Sequence, residues 1–316
     1  MRTRNPNQIS PAKRLGLFVL VCLVGLIVIE LVLLLRQPNK PPQTVTESTE
    51  SKIEARTGKD EPIPFKQATE PPVAPQNDYR SKYFYAGMPK VVAYPNPLLV
   101  LTNIGYVVAY DDTRKNPVWG CYRLFKVDNL IAPPRPKSFR IDNRTMSRMK
   151  TGDYTGSGYN RGHLGAPNFA IGVCYGSEAQ QETFLMSNIT PQKPRMNQDI
   201  FENMERYEIR DLAQRYDEIW IIAGNIFDDN IERLKSGVEI PDACFHVVVD
   251  EYDGEVRALA FIIPQSVTGK EQLGQFRASV DEIEARTGLD LLSELPDDVE
   301  DRVEREKGII FNCETP

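Results

Sequence analysis

Short runs of β-branched and aromatic residues, separated by turn residues, occupy 98–102, 106–110 and 119–127 and predict antiparallel strands. A further strand of the buried type is expected at 218–223. The runs 244–250 and 256–263 flank Asp253-Gly254, a dipeptide suited to the positive backbone angles of a two-residue hairpin. Between these strands the apolar period lengthens to that of a helix. Ile200, Met204 and Tyr207 share one face of a predicted helix over 197–216. Leu273, Phe276, Val280 and Ile283 share one face of another over 271–287, with Gly288 placed to cap its end. This order of elements predicts an α+β domain on an antiparallel sheet, without an internal repeat.

The chain ahead of the domain has a different texture. Residues 15–35 are apolar except for Glu30, and at about 1.5 Å per residue such a run reaches roughly 31 Å, enough to cross a bilayer core. Arg2, Arg4, Lys13 and Arg14 precede it and Arg36 and Lys40 follow, a bias that puts the N-terminus in the cytoplasm and the rest of the chain on the exported side. A cleaved signal peptide is the competing reading. The length of the run and the lack of a small-x-small cleavage site favour a single-pass anchor. From 37 to about 80, Pro, Thr, Glu, Gln and Lys dominate, and so polar a segment cannot bury enough surface to order itself. The expected layout is a basic segment at 1–14, an anchor at 15–35, a disordered linker at 36–80 and a folded domain over 81–316.

The net charge of −6 excludes a protein that coats DNA over its whole surface, so a nucleic-acid partner would need a local basic groove. One exists in the sequence. Between 135 and 161, Arg135, Lys137, Arg140, Arg144, Arg148, Lys150 and Arg161 face only Asp142 and Asp153, a pattern that suits a phosphate backbone or a solvated charged loop. The stretch 281–306 is the reverse, with eleven acidic residues against three arginines, and reads as a solvated face. Cys121, Cys174, Cys244 and Cys313 are widely spaced and lack a CxxC pair, which argues against zinc and leaves disulfides or buried thiols open.

The chain contains two histidines, so a histidine base is His163 or His246. His246 lies within an apolar strand and reads as packed. His163 follows a glycine-rich stretch in Tyr159-Asn160-Arg161-Gly162-His163-Leu164, a setting that core filling does not explain. Phosphodiester hydrolysis needs a base for water, positive charge on the phosphoryl oxygens and help for the departing alkoxide. His163 supplies the first and Arg161, two residues away on the same side of an extended chain, supplies the second. A metal would need hard oxygen ligands. Asn197 offers an amide oxygen at a helix start, where an N-cap is the plain alternative. A serine hydrolase using Ser157 or Ser187 is disfavoured by the absence of a GxSxG elbow.

The assembled motifs resemble a known family. Tyr159-Asn-Arg-Gly-His-Leu164, then Glu182 through Asn188-Ile-Thr-Pro-Gln192, then Asn197-Gln198 with Glu205 eight residues on, are similar to the DNA/RNA non-specific endonucleases, which include mitochondrial endonuclease G. Tyr106 to Tyr110 and Asn116 through Leu124 share the likeness, which runs from about Tyr83 to Pro296. The resemblance implies a ββα-metal fold with His163 as general base and Asn197 as the protein ligand of Mg²⁺, Mn²⁺ being the alternative ion. It implies that Arg161 contacts phosphate, Asn188 helps shape the site and Glu205 holds water around the ion. A further phosphate-binding cation falls at Arg135, Lys137 or Arg140. The implied partners are the DNA and RNA backbones, read without base specificity, with the membrane and a homodimer as further partners. The family motif usually begins with Asp where this chain has Asn160, so the implied site has one negative charge fewer. A catalytically silent nucleic-acid-binding or envelope scaffold protein is the rival reading.

Overall fold

Seven antiparallel strands form the frame of the structure, a computed structural model that describes residues 79–228 and 231–309. In chain order the strands of this sheet and of a smaller hairpin are β1 (Leu99–Thr102), β2 (Tyr106–Asp111), β3 (Asn116–Phe125), β4 (Asn160–His163), β5 (Ile189–Gln192), β6 (Glu218–Ile226), β7 (Ala243–Tyr252), β8 (Glu255–Pro264) and β9 (Arg277–Ala278). The main sheet runs β9-β8-β7-β6-β3-β2-β1, and β4 pairs with β5 as a separate ribbon. Asp253 and Gly254 both take positive φ in the β7–β8 turn, as the dipeptide predicts.

Alternation along the strands creates two cores. Tyr106, Val108, Tyr122, Leu124, Ile219, Ile221, Leu259 and Phe261 point to one face, whereas Val107, Ala109, Trp119, Cys121, Trp220, Ile222, Phe245 and Val247 point to the other. Both faces are covered, which makes the strands almost continuously apolar. The first face carries α1 (Asn168–Glu182) and a long helix, α2, over 196–216. The second carries α3 (Val280–Thr287) and α4 (Asp297–Arg305).

Two expectations need correction. No helix spans 271–287. Leu273–Phe276 is a single 3-10 turn, β9 follows it, and α3 begins after Ser279. The chain crosses from one core to the other here, so Leu273 and Phe276 pack against the first cluster and Val280 and Ile283 against the second. A strand of two residues between them broke what looked like one helical stripe. The signal that fixes α3 is a capping box: Ser279 accepts from the Glu282 N–H at 3.1 Å, and Glu282 accepts from the Ser279 N–H at 3.1 Å. Gly288 does end the helix, at φ 68°. The second correction concerns 281–306, which is not a uniformly solvated face, because Glu304 is buried.

Cys121 and Cys244 are buried thiols in opposite cores and Cys174 is a partly buried one, so the described cysteines form no disulfide. Cys313 and the expected anchor at 15–35 lie outside the described residues. No helix among the described residues is long and apolar enough to cross a membrane.

Candidate active site

His163 is the last residue of β4, and three fastenings fix its position. In the ribbon, His163 pairs with Ile189, Gly162 with Thr190, Arg161 with Pro191 and Asn160 with Gln192. The ribbon is then tied to the main sheet by buried side chains. Thr190 donates its hydroxyl to Asn116 Oδ1 at 3.0 Å and accepts from Asn225 Nδ2 at 2.9 Å, while Gln265 Nε2 donates to the Pro191 carbonyl at 2.7 Å. Such fully bonded interior networks hold one geometry because an unpaired member is expensive. Beyond His163 the chain turns sharply under Asn188. The Asn188 Oδ1 accepts from the Ala166 N–H at 3.0 Å, and its Nδ2 donates to the carbonyls of Ala166 at 3.0 Å and Thr183 at 2.9 Å. The turn lies so close to β3 that a Cβ on Gly120 would overlap the Gly165 Cα, so only glycine fits there.

These fastenings set His163 into a cleft of about 580 Å³ beside α2, whose walls include Arg135, Arg161, Asn168, Gln180, Asn197, Gln198, Glu202, Glu205, Arg206 and Arg210. The imidazole is 9% exposed and boxed by aromatic rings, with Phe184 edge-on at 5.2 Å and Phe139 at 5.6 Å between centroids. Its Nε2 is buried and has no hydrogen-bond partner among the described residues. Burial, reinforced by Arg135, pulls its pKa down to about 3, so the ring is neutral across the ordinary range. The same aromatic wall carries two cations, with Arg161 over Phe139 at 5.7 Å and Arg135 over Phe184 at 5.1 Å. Arg210 lies over Phe169 at 5.6 Å.

On the α2 wall Asn197 is not an N-cap. It sits inside the first turn, its backbone N–H donating to Lys193 at 3.0 Å, and its side chain forms no hydrogen bond among the described residues. Desolvation, and secondarily the charges of Glu208 and Glu202, push the Glu205 carboxyl up to about 8 against the opposing pull of Arg135. A free amide oxygen and two carboxylates in one recess are hard donors of the kind Mg²⁺ or Mn²⁺ takes. The residues therefore fit a divalent ion.

Ordinary i+3 and i+4 spacing places Gln198, Glu202, Glu205 and Arg206 on one face of this helix, and two wide turns bring Asn197 and Arg210 closer to that face. Met196–Phe201 and Glu208–Leu212 are π-type turns. Residues five apart on an α-helix are about 140° apart around the axis, but a wide turn with i to i+5 bonding returns them to one side. Asn197 and Glu202 thus share a wall, and so do Glu205 and Arg210.

Of the residues singled out from sequence, His163, Arg161, Arg135, Asn197 and Glu205 meet in the cleft. Lys137 and Arg140 do not line it. They border an adjoining groove with Pro134, Ser138, Ser177 and Gln181, and Arg140 donates to the Gln181 carbonyl at 2.9 Å. Asn160 is held in the ribbon and is not among the lining residues, and Asn188 acts through the turn. Arg144, counted with the basic segment, is bound to Asp142 at 2.7 Å. His246 is packed as expected, its Nδ1 2.9 Å from Glu208 Oε1. Arg206, Arg210, Glu202, Gln180 and Asn168 were missed, and Gln198, quoted beside Asn197 in the motif, was given no role. Gln198, Glu202, Glu205 and Arg206 share one helix face at i, i+3 and i+4 spacing, but that spacing does not say that the face lines a cleft. Helix α1 itself escaped notice because Gly172 and Gly176 interrupt it and its chain kinks at Gly176.

A sequence profile of DNA/RNA non-specific endonucleases matches residues 89–298, two thirds of the chain and all of the elements that build this cleft. The chain belongs to that family. Mitochondrial nuclease EXOG of Xenopus laevis is 27% identical over 237 residues, covering 67% of this chain and 61% of that protein. The nuclease of Serratia marcescens is 30% identical over 213 residues, covering 64% of this chain and 74% of its own. The match thus spans less than two thirds of the frog relative. Among solved structures, the EndoG/EndoGI complex, described as a mechanism of EndoG inhibition, contains a chain that aligns with a TM-score of 0.56 at 23% identity, over 65% of this chain and 91% of its own. That likeness supports the ββα-metal fold, in which the β4–β5 ribbon and α2 of this family member form the central unit.

Proposed function

We propose that this protein is a metal-dependent endonuclease that hydrolyses DNA and RNA without base specificity, with His163 as general base. The observation that carries the reading is a neutral His163 with an unpartnered Nε2, set in the wall of a cleft that also holds the free amide of Asn197 and four arginines. Neutral imidazole takes a proton from water, and the resulting hydroxide attacks phosphorus in line, leaving a 5′-phosphate on one product. Arg161, Arg135 and Arg210 hold phosphoryl oxygens and balance the charge that builds during attack. Asn197 would be the protein ligand of the ion, and Glu205 would hold water beside it. Divalent-metal dependence is a property of the family, and Mg²⁺, or Mn²⁺ in its place, is our assignment for this chain. When bound, the ion supplies positive charge to the phosphoryl group and the departing 3′-oxygen.

Asn160 stays clear of the cleft walls, so its replacement of the usual Asp leaves base, cations and ligand in place. Lys137 and Arg140 extend the positive strip along which a backbone continues. An anchored domain on the exported side, and a homodimer, are parts of the proposal that rest on sequence alone.

The test incubates the full chain with supercoiled plasmid and with RNA, in Mg²⁺ or EDTA, beside His163→Ala and Asn197→Ala. Cutting of both substrates by wild type in Mg²⁺ alone, lost in both variants, supports the reading. A plasmid that shifts on a gel but stays intact in Mg²⁺, Mn²⁺ and Ca²⁺ replaces it with the silent binding protein.

A further inference from the structure

A second group of oxygen donors lies on the opposite face of the sheet. Asp281 and Glu284 stand on α3 and Glu304 on α4, and one carboxylate oxygen from each falls within 4.8 Å of the other two. Oxygens bound to one Ca²⁺ at about 2.4 Å are at most about 4.8 Å apart. Proximity of acidic groups is common on surfaces and decides nothing by itself. Glu304, however, is only 7% exposed, and its Oε1 is buried with no hydrogen-bond partner among the described residues. A carboxylate oxygen so placed needs a proton or a cation, because an unpaired buried charge costs several kcal/mol.

No side-chain cation of these helices neutralises the group. Lys307 pairs with Glu282 at 2.9 Å, Arg286 with Asp228 at 2.7 Å, Arg302 with Glu255 at 3.0 Å and Arg305 with Asp301 at 3.8 Å. The remaining groups that face it add negative charge, namely Asp290 before α4 and Glu300 on α4, and Lys90 acts on Glu300 from the N-terminal side. Glu284 Oε1 accepts from the Leu291 N–H at 2.6 Å, which fixes that side chain.

We propose that Asp281, Glu284 and Glu304 form a second divalent-cation site, of the calcium type, that fastens α3 to α4. Three carboxylates and no nitrogen or sulfur donor select a hard ion over zinc. Ligands from two helices, one of them exposed, suit the flexible coordination of six to eight oxygens that Ca²⁺ accepts better than the strict octahedron of Mg²⁺. The site is independent of the cleft, since α3 and α4 pack on the other core.

Thermal unfolding of the full chain, stripped of metal and titrated with CaCl₂, tests this. Wild type should gain about 5–10 °C at a hundredfold excess over Kd. Asn197→Ala should keep that gain, which separates it from the cleft ion. Glu304→Gln and Asp281→Asn should lose it, and the exposed Asp281 covers the case in which the buried substitution fails to fold. An equal gain in Asp281→Asn and wild type, or a gain lost in Asn197→Ala instead, overturns the site. No response of wild type to Ca²⁺ also overturns it and leaves the carboxylates sharing protons.

Discussion

Asn188→Ala isolates how the fold holds the proposed base. The substitution removes the acceptor of the Ala166 N–H and the donor to the carbonyls of Ala166 and Thr183, bonds of 3.0, 3.0 and 2.9 Å within a fully buried region. Each buried backbone group left without a partner costs about 1–3 kcal/mol, and a carbonyl, with two lone pairs, sits at the low end. One N–H and two carbonyls sum to about 3–5 kcal/mol. For a domain of this size that corresponds to a fall in Tm of roughly 10 °C. Urea unfolding of the metal-free protein reads the loss as a lower midpoint at unchanged slope. The turn after His163 is also released, so kcat should fall at temperatures where the variant is still folded, while KM for plasmid stays near wild type. A loss under about 1 kcal/mol, or a KM effect without a kcat effect, would show that the turn is held by β3 packing at Gly120 and Gly165 rather than by the Asn188 side chain.

Arg210→Ala should act in the opposite sense, weakening nucleic-acid binding and reducing the slope of log K against log salt by about one unit, as measured by binding titrations in EDTA. The pH dependence of metal-free stability follows from two cleft groups. Glu205, raised to about 8 in the fold, contributes stability that is present below about 4.5 and lost as pH climbs through 8, whereas His163, lowered to about 3, contributes stability present above about 6.5 and lost as pH falls through 3. Between pH 6.5 and 8 Glu205 alone of the two changes, so Glu205→Gln should gain on wild type as pH rises through that window, and parallel curves would refute the assignment. The lowered His163 also changes the expected acid limb: cutting should persist below pH 6.5, the point at which an ordinary histidine would protonate. Ser279→Ala removes an N-cap and should cost about 1 kcal/mol in chemical denaturation without touching turnover.

Much of the fold and part of the site is written in contiguous residues. The alternation in 106–110, the Asp253-Gly254 turn and the spacing of Arg161 and His163 on one strand are local rules, set by the two-residue period of the extended chain and by which residues tolerate positive φ. Sequence therefore sufficed for six of the seven strands of the sheet, for the candidate base and for the neighbouring arginine. What it could not set was anything that depends on a departure from regular geometry or on a distant surface. Which face of α2 turns toward His163 is set by how the helix docks, and that docking brings Glu202 and Arg210 into the cleft. The crossing at β9 sent Leu273 and Val280, one apparent stripe, into opposite cores. The depression of the His163 pKa comes from Phe139, Phe184 and Arg135, none of them its neighbour in the chain. Glu304 reads as one more acid in an acidic run, and only the packing of α4 against α3 buries it beside two others. Periodicity and turn chemistry act within a few residues, so a single chain displays them. Burial and charge environment are sums over groups brought together by folding, and only the tertiary structure decides them.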